Sequence, residues 1–554
     1  MTDTLKIALA QLNPTVGDID GNANLVRKAR SDAAAQGADL VLLSELFLIG
    51  YPPEDLVLKP AFQEDARAAT EALAAETADG GPGVLLPTCW VEDDVLYNAV
   101  ALLDGGEIKA VRYKHHLPNY GVFDEARVFE PGPLPGPIDF RGVRLGVPIC
   151  EDIWFEDVVE CLEETGAELL LVPNGSPFET DKIDDRTMHS VARVKESGLA
   201  LAYVNQLGGQ DELIFDGGSF VLNTDCSLAV QMPAWQDSLV VTDWTRRQDG
   251  WVCEPDELAS IEEGDAAVYE AVTLALRDYV RKNGFPGVVL GMSGGIDSAL
   301  SAAIAVDALG PENVHCVMLP SEYTSGESHS DAEDCAKALG VRYDIVPIKQ
   351  AVTAFEDALA GLFKDTTPDT TEENIQARTR AVILMALSNK FGTMLLTTGN
   401  KSEMSVGYAT LYGDMSGGYN ALKDIYKMQV FSLSRWRNEN VPKTGLGPAG
   451  LVIPENIITK PPTAELRPDQ KDQDSLPPYK ELDDILECLV EREMGFEEIV
   501  ARGHKAQLVK KIEHLLYIAE YKRRQAPPGV KITAKNFGRD RRYPITNRFR
   551  DAKH

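Results

Sequence analysis

The sequence predicts an α/β protein of two domains, and three observations carry that prediction. The first half mixes strand hairpins with strand–helix units, which indicates layered sheets with helices outside. The second half alternates strands and helices strictly, which predicts a parallel, doubly wound sheet. Between the halves, residues 246–265 are polar and acidic. We place a linker there, with domains at 1–245 and 266–554.

The strands of the first half are predicted from short apolar runs. LKIALAQL (5–12) and ADLVLLSE (38–45) are typical of strands, and Gly37 closes the helix between them. The turn DGG (104–106) joins two further runs as a hairpin. VRLGVPIC (143–150) has apolar residues with period two, which indicates a strand.

In the second half, short apolar strands alternate with helices. Its predicted strands are GVVLGM (287–292), VHCVMLP (314–320), YDIVPI (343–348) and TMLLTT (393–398). Parallel strands need such helical crossovers, so the alternation predicts the doubly wound sheet. Residues 461–480 are rich in proline and charge, which predicts a loop.

Composition limits the classes of function. The chain has 54 basic and 86 acidic residues among 554, which argues against a protein that coats nucleic acid. Its eight cysteines contain no CxxC pair, which is typical of reduced cytoplasmic thiols rather than disulfides or a zinc site. No apolar run approaches the ~18 residues of a membrane span, and we find no signal peptide. We therefore expect a cytoplasmic protein with no nucleic-acid or membrane partner.

Three chemically distinct side chains each end a strand-like run in the first half. Glu45 follows ADLVLLS, Lys114 follows IKAVRY and Cys150 follows VRLGVPI. If these strand ends converge, a thiol, a carboxylate base and a cation form an activated nucleophile. Taken singly, each is more often a buried core thiol or a solvated charge. The adjacent His115 and His116 would point to opposite faces of a strand and make a poor metal pair.

Around these residues lie the segments LSELFLIGYPPEDL, YKHHLPNYGVFDEARVF and ICEDIW. They resemble the motif blocks of the carbon–nitrogen hydrolase (nitrilase) superfamily, and more closely the glutaminase domain of glutamine-dependent NAD synthetases. The resemblance covers about the whole first half and implies an α-β-β-α sandwich. It implies that Glu45 is the general base, Lys114 stabilises the tetrahedral intermediate and Cys150 is the nucleophile. It also implies contacts to the substrate glutamine from Tyr120, Glu125, Ser176 and Lys182.

A glycine- and serine-rich turn, GMSGGIDS (291–298), lies between a predicted strand and a predicted helix. Its glycines let backbone N–H groups approach an anion, and the helix N-terminus adds a favourable dipole. The plainer interpretation is a capped turn of the kind common in doubly wound sheets. It is not a Walker A loop, because GK[ST] is missing, and no GxGxxG fingerprint supports a dehydrogenase.

The SGGIDS core of this turn matches the pyrophosphate loop of ATP pyrophosphatases, which cleave ATP to AMP and pyrophosphate. Further segments resemble NAD synthetases: TTGNKSEMSVGYATLYGDMSGG, LKDIYKMQV, PPTAEL and YKRRQAPPGVKIT. The resemblance implies an adenine-nucleotide hydrolase-like domain. It implies ATP contacts from Gly291, Met292, Ser293, Gly294, Gly295, Ile296, Asp297, Ser298, Thr398, Lys427 and Thr463. The implied contacts to deamido-NAD are Asn374, Glu403, Asp414 and Lys522. Asp297 and Glu403 would hold Mg²⁺ on the triphosphate, since hard oxygens suit that ion.

Together the two resemblances imply an enzyme that hydrolyses glutamine and passes ammonia to adenylated deamido-NAD. Its small-molecule partners would be glutamine, ATP with Mg²⁺, and deamido-NAD, with no tightly bound redox cofactor; the family further implies a homo-oligomer. One alternative is another amidotransferase of this ATP class with a different acceptor carboxylate. A second is a binding protein that kept both folds, which the intact Glu45, Lys114 and Cys150 argue against.

Overall fold

The protein is described by a computed structural model that covers residues 3–180, 182–256, 258–468, 470–474 and 476–551, without the side chains of 182–184. The chain divides into two compact units, Met1–Glu262 and Glu263–His554. Within the described part of the chain, no helix has the length and apolar character that a bilayer crossing requires.

The first unit is built mainly of strands. These strands are β1 Thr4–Gln11, β2 Leu40–Leu43, β3 Gly83–Glu92, β4 Val95–Asp104, β5 Glu107–Tyr113, β6 Ile138–Phe140, β7 Val143–Gly146, β8 Leu169–Asn174, β9 Leu201–Asn205, β10 Leu207–Gln210, β11 Leu213–Asp216, β12 Phe220–Leu222, β13 Leu228–Gln231, β14 Ser238–Arg247 and β15 Gly250–Cys253. The helices are α1 Ile19–Ala35, α2 Pro60–Glu76, α3 Asp157–Glu164 and α4 Lys182–Ser197.

Strands β10 and β11 form a separate antiparallel pair, and the other strands of this unit belong to two larger sheets. One has the order β15-β14-β1-β2-β3-β4-β5, and the other β13-β12-β9-β8-β7-β6. In the first sheet β1, β2 and β3 run parallel, while β4 and β5 form antiparallel hairpin partners as the DGG turn predicts. In the second, β7, β8 and β9 are parallel. Glu45 follows β2 and Gly175 follows β8, so both residues lie at the carboxyl ends of parallel strands.

Side-chain alternation along the strands creates the layers. On β1, Ile7 packs between the two sheets, whereas its neighbour Ala8 packs towards α1 and α2. On β8, Leu171 packs between the sheets and Leu170 packs towards α3 and α4. Each sheet therefore buries both faces, and the predicted α-β-β-α sandwich is confirmed.

The boundary between the two units, after Glu262, falls inside the linker predicted at 246–265, but the first part of that segment is not a linker. Residues up to 253 complete the antiparallel hairpin of β14 and β15, with Trp251 and Cys253 buried. Gly250 and Val252 alternate with these two and are partly exposed, and the polar residues on either side concealed this strand period in the average composition. Beyond it, the N–H groups of Asp256 and Ala259 donate to β13 region carbonyls, and the next helix starts at Gly264.

The second unit begins with α5 Gly264–Lys282. Its strands are β16 Val288–Gly291, β17 Val314–Met318, β18 Arg342–Ile345, β19 Met394–Thr397 and β20 Tyr419–Asn420. Its later helices are α6 Ile296–Leu309, α7 Gly326–Leu339, α8 Lys349–Leu359, α9 Thr370–Phe391, α10 Lys401–Val406, α11 Lys427–Glu439, α12 Glu455–Thr459, α13 Tyr479–Val490, α14 Phe496–Ala501, α15 Ala506–Ile518 and α16 Glu520–Arg523.

The strand order of the second unit is β18-β17-β16-β19-β20, and every pair is parallel. The doubly wound prediction is thereby confirmed. The chain reverses its direction of winding between β16 and β19, which creates a crevice at their carboxyl ends where such sheets bind ligands. The SGGIDS turn follows β16, and Thr398 follows β19.

Candidate active sites

A buried cluster of charged side chains lies at the strand ends of the first unit. The ammonium of Lys114 lies between two carboxylates: its Nζ is 2.6 Å from Oε1 of Glu45 and 2.8 Å from Oε1 of Glu125. Asn98 donates a hydrogen bond of 2.8 Å to Oε1 of Glu45, and the Tyr51 hydroxyl donates to Glu125 at 2.8 Å. The side chains of Glu45 and Lys114 are fully buried, so their mutual hydrogen bonds replace those to water.

Cys150 begins a short turn that is held in an unusual backbone conformation. Its φ is 46°, in the left-handed region that non-glycine residues rarely adopt. The buried carboxylate of Asp152 stabilises this turn by accepting the N–H of Ile149 at 2.9 Å. The same carboxylate accepts the N–H groups of His115 and His116, at 3.0 and 2.8 Å. Asp152 therefore ties the segment after Lys114 to the turn that carries Cys150.

The electrostatics of this cluster favour a neutral thiol beside a charged ammonium. Burial and the charge of Glu45 raise the pKa of the Cys150 thiol, against Lys114 and a hydrogen bond from the Gly175 backbone, which lower it. Burial alone would lower the pKa of Lys114, but Glu125 and Glu45 hold it well above its usual value. Oε2 of Glu45 is buried and has no hydrogen-bond partner among the described residues, so it is a free acceptor for a proton.

The carboxyl group of Glu125 has a raised pKa in this cluster. Burial raises the pKa of Glu125 to about 7; Lys114 opposes the rise and Glu45 adds to it. Two carboxylates thus share one ammonium, and a proton on Glu125 relieves the excess negative charge near neutral pH.

A cavity of about 460 Å³ lies in the second unit, within the size range of small-molecule sites. Most residues predicted to bind ATP or deamido-NAD line it: Ser293, Gly295, Ile296, Asp297, Ser298, Asn374, Thr398, Glu403, Asp414, Lys427, Thr463 and Lys522. Gly291, Met292 and Gly294 do not line it. Gly291 ends β16, Met292 is buried, and Gly294 packs against the backbone of Ser328.

Two internal hydrogen bonds and one close backbone contact hold the SGGIDS turn in its conformation. The N–H of Ser293 donates to Oγ of Ser298 at 3.2 Å, and the N–H of Gly295 donates to Oγ of Ser293 at 3.2 Å. Gly294 has a φ of 82°, and a Cβ there would lie 2.4 Å from the carbonyl oxygen of Ser328. Only glycine fits this position. The turn leads directly into α6, whose first N–H groups suit an anion.

A second ion cluster lies at the same end of the cavity. Nζ of Lys427 contacts Oδ2 of Asp297 at 2.5 Å and Oε1 of Glu403 at 3.2 Å. Asn400 donates to the other oxygen of Asp297 at 2.8 Å. Burial raises the pKa of Glu403 to about 7, with Lys427 opposing and the charges of Asp297 and Asp472 adding to the rise. Acidic charge therefore exceeds basic charge here.

That excess fits a magnesium ion. Mg²⁺ commonly takes one or two protein carboxylates and completes its shell with water and substrate phosphates. Asp297 and Glu403 supply two such carboxylates on the wall of a cavity that the SGGIDS turn also lines.

The remaining predicted residues of the cavity meet around one loop. The N–H of Thr410 donates to Asp414 at 2.8 Å, and its hydroxyl donates to Oδ1 of Asn374 at 3.0 Å. Nζ of Lys522 donates to the carbonyl of Gly407 at 2.8 Å. Burial raises the pKa of Asp414 to about 6, against the Thr410 hydrogen bonds and the charge of Lys522. Lys522 is thus a cavity residue, although the basic run KRR around it is typical of a solvated surface.

Comparison with known proteins places this architecture in a family. Residues 6–248 match the carbon–nitrogen hydrolase family, and residues 268–526 match the NAD synthase family. The chain is 54% identical, over 551 residues and 100% of each chain, to the glutamine-dependent NAD(+) synthetase of Rhodobacter capsulatus. The chain belongs to the glutamine-dependent NAD(+) synthetases. A synthetase of Xanthomonas campestris pv. campestris is 47% identical, with 98% of each chain covered.

Solved structures agree with this placement. The glutamine-dependent NAD⁺ synthetase of Acinetobacter baumannii, in complex with ADP, is 42% identical, with a TM-score of 0.78 over 98% of this chain and 99% of that one. A synthetase of Cytophaga hutchinsonii is 23% identical, with a TM-score of 0.82 over 98% of both chains, and shares the fold.

The residues predicted to bind glutamine in this synthetase differ in burial and in their hydrogen-bond partners. The hydroxyl of Tyr120 donates to Glu151 at 3.0 Å, and Tyr120 is half exposed. Ser176 is buried, and its Oγ accepts a hydrogen bond from Arg186 at 3.1 Å. Glu125 belongs to the charged cluster around Lys114. The side chain of Lys182 lies outside the described residues.

Sequence reasoning missed several residues that shape the first site. Asn98 and Tyr51 hold the two carboxylates, but each is remote in sequence and carries no local signal. Gly175 had a signal, a glycine directly after a buried strand, which often marks a close approach. A Cβ on Gly175 would lie 3.0 Å from Oε2 of Glu45.

The prediction that His115 and His116 point apart is wrong. Nε2 of His116 lies 2.8 Å from Asp157 and Nε2 of His115 lies 4.0 Å from it. The reason is that β5 ends at Tyr113, so the strand alternation no longer applies to the two histidines.

Proposed function

We propose that the first unit hydrolyses glutamine with Cys150, and that the second unit uses the ammonia to amidate deamido-NAD activated by ATP. One observation carries the proposal: a single chain contains both a buried thiol–carboxylate–ammonium cluster and a cavity lined by a glycine-rich turn and by two carboxylates that share one lysine. Amide formation needs both, because a carboxylate is a poor electrophile until it is adenylated.

In the glutaminase step Cys150 attacks the side-chain amide carbon of glutamine. The thiol proton passes to Oε2 of Glu45 and then to the leaving ammonia, which leaves a thioester on Cys150. Lys114 stabilises the oxyanion of each tetrahedral intermediate. Water, deprotonated by Glu45, then releases glutamate. The neutral resting thiol, with its raised pKa, supports a mechanism in which proton transfer accompanies attack.

Four residues would orient the glutamine: Tyr120, Glu125, Ser176 and Lys182. Ser176 is supported by its position directly after Gly175, which packs against Glu45. Tyr120 is supported by its hydrogen bond to Glu151, the residue after Cys150. Glu125 is supported by its contact with Lys114.

In the synthetase step the ATP phosphates would lie over the turn from Ser293 to Ser298, with Lys427 as counter-charge and Thr398 and Thr463 as further contacts. Asp297 and Glu403 would hold Mg²⁺, which neutralises charge on the triphosphate. The nicotinate carboxylate attacks the α-phosphorus, pyrophosphate leaves, and ammonia displaces AMP to give NAD⁺. The dinucleotide would be held by Asn374, Glu403, Asp414 and Lys522.

The chain would act as a homo-oligomer in the cytoplasm. Helix α9 supports the first point: of its 22 residues only Gln376, Ala377, Thr379 and Ala381 are buried, and Val382 is 66% exposed. An apolar side chain exposed on such a helix is typical of an interface between copies. All eight cysteines are free thiols, which supports a reducing compartment.

Sedimentation velocity tests the homo-oligomer. Val382→Glu should lower the mass of the sedimenting protein, and a wild-type chain that sediments as a monomer would contradict the proposed homo-oligomer.

Product analysis tests the function directly. The protein is incubated with amide-¹⁵N glutamine, ATP, Mg²⁺ and deamido-NAD, and products are quantified by mass spectrometry. We expect ¹⁵N-labelled NAD⁺, AMP and pyrophosphate in equal amounts, with at least as much glutamate. Formation of ADP and phosphate, or of no labelled NAD⁺, would contradict the assignment. A panel of other carboxylic acids in place of deamido-NAD should yield no amide.

A further inference from the structure

Two histidines and an aspartate of the first unit lie together outside the proposed machinery. One ring nitrogen of His115, one ring nitrogen of His116 and one carboxylate oxygen of Asp157 all lie within 4.8 Å of one another. Each side chain is partly exposed, so an ion from solution can reach the group.

The hydrogen bonds of the two rings determine which nitrogen is available. Nδ1 of His115 lies 2.6 Å from the carbonyl oxygen of Gly132. A carbonyl can only accept, so Nδ1 carries the proton and Nε2 of a neutral ring is a bare lone pair. Metal-bound histidines usually show this arrangement, with the other ring N–H donated to a carbonyl. The ring of His116 is held by stacking on Phe155, at 4.2 Å between centroids.

We propose that His115, His116 and Asp157 form a binding site for a divalent transition-metal ion of the Zn²⁺ class. Two imidazoles and a carboxylate are a three-ligand set that Zn²⁺ accepts with a fourth position open to water. Tetrahedral Zn²⁺ with bonds of about 2.0–2.1 Å places its ligand atoms about 3.3 Å apart. Nε2 of His116 lies 2.8 Å from Oδ1 of Asp157 and Nε2 of His115 lies 4.0 Å from Oδ2, so small side-chain rotations would bring the three ligands to that spacing.

Binding also requires the proton between His116 and Asp157 to move. Nε2 of His116 lies 2.8 Å from Oδ1 of Asp157, and the two groups share a proton in the metal-free chain. The ion takes the position of that proton, so the ring must present Nε2 as a lone pair and carry its N–H on Nδ1.

The site is linked to the frame of the glutaminase centre. The backbone N–H groups of His115 and His116 both donate to Asp152, whose other oxygen accepts the N–H of Ile149, next to Cys150. Asp157 follows the same turn. A bound ion would thus add a second tie between the two segments that Asp152 already joins.

Zinc titration of the full-length protein tests the site. The Cys150→Ala chain is used so that the reactive thiol cannot hold the ion, and excess Mg²⁺ occupies the carboxylates of the second unit. Zn²⁺ is titrated against a chromogenic chelator, and Co²⁺ absorption in the visible range reports the coordination geometry. We expect one saturable site per chain, with affinity lowered about tenfold or more by His115→Ala and by His116→Ala.

The control is a histidine–carboxylate pair without a second histidine. His504 lies 2.7 Å from Asp484, and His504→Ala should change the affinity less than about twofold. The histidine substitutions leave the backbone bonds to Asp152 in place, so the chain should fold. As a second readout, Zn²⁺ should slow hydrogen exchange at the amides of His115 and His116. The absence of a saturable site, or affinities unchanged by both histidine variants, would overturn the proposal.

Discussion

Replacing Gly175 by alanine tests how closely the base of the glutaminase site is packed. An added Cβ would lie 3.0 Å from Oε2 of Glu45 and 3.2 Å from Cδ1 of Tyr51. Neither neighbour can yield freely. The other oxygen of Glu45 is held by Lys114 at 2.6 Å, and the hydroxyl of Tyr51 is bonded to Glu125.

The expected loss follows from the displacement. Ordinary van der Waals contact begins at 3.4 Å, so the Glu45 carboxylate must move by about 0.4 Å. A misplacement of about 1 Å at a reacting group costs about 100-fold in rate, so a shift of this size should cost about tenfold, or about 1.4 kcal/mol. Overpacking should also lower the stability of the fold by about 1–3 kcal/mol.

The assay compares NAD⁺ formation driven by glutamine with that driven by ammonium chloride. We expect Gly175→Ala to lower kcat with glutamine about tenfold and to leave the ammonia-driven rate unchanged. The matched control is Gly136→Ala, because a Cβ there meets no atom within 4 Å. A glutamine-driven rate within about twofold of the wild type, or an equal loss with both nitrogen sources, would refute the reasoning.

Three further predictions concern other parts of the two sites. In Asp152→Asn one carboxylate oxygen becomes an NH₂ group, which cannot accept the backbone N–H of Ile149 or those of His115 and His116. We expect the free energy of unfolding to fall by about 1–3 kcal/mol. We also expect the glutaminase rate, measured by glutamate release, to fall while ammonia-driven synthesis is unchanged. Gly294→Ala brings a Cβ within 2.4 Å of the Ser328 carbonyl oxygen, so NAD⁺ synthesis should fail with either nitrogen source. Burial raises the pKa of Glu125 to about 7, above its ordinary value of 4.5, so the folded chain binds this proton more tightly than the unfolded chain. The protonated Glu125 therefore stabilises the fold most below about pH 4.5, and this stabilisation is lost as the pH rises through 7. The free energy of unfolding should fall with pH between these values by at most about 1.4 kcal/mol per pH unit because of this group, and Glu125→Gln should remove that pH dependence.

Each of these has a control in the same unit. For Asp152→Asn the control is Asp139→Asn, which changes an exposed carboxylate and should leave glutaminase activity unaffected. For Gly294→Ala the control is Gly326→Ala, where the added Cβ meets no atom within 4 Å and NAD⁺ synthesis should be normal. Glu130→Gln, at an exposed position, should leave the pH dependence as it is in the wild type. Full glutaminase activity in Asp152→Asn, normal synthesis in Gly294→Ala, or an unchanged slope in Glu125→Gln would each contradict the corresponding argument.

Local pattern was enough to predict the parts of the sites that follow strands directly. Glu45, Lys114 and Cys150 each end an apolar run, and the carboxyl ends of strands that run in the same direction lie at one edge of a sheet. The SGGIDS turn could be predicted for the same reason, because its glycines, its hydroxyls and the helix after it are contiguous. The parallel sheet of the second unit could be predicted from the strict alternation of strands and helices along the sequence.

Long-range partners could not be predicted in this way. Asn98 reaches Glu45 from a strand 53 positions away, and Asn400 reaches Asp297 across 103 positions. Such pairs depend on how the sheets align, and no local period encodes that alignment. The strand inside the predicted linker was missed for a related reason, because Trp251 and Cys253 are two buried residues in a segment whose average composition is polar and acidic.

Removing the nucleophile tests the central claim most directly. Cys150→Ala is assayed for NAD⁺ formation with glutamine and, separately, with ammonium chloride, beside Asp297→Ala in the other unit. We predict that Cys150→Ala loses the glutamine-driven reaction and keeps the ammonia-driven one, whereas Asp297→Ala loses both. Glutamine-driven synthesis that survives in Cys150→Ala, or ammonia-driven synthesis that disappears with it in a folded protein, would contradict the two-site account.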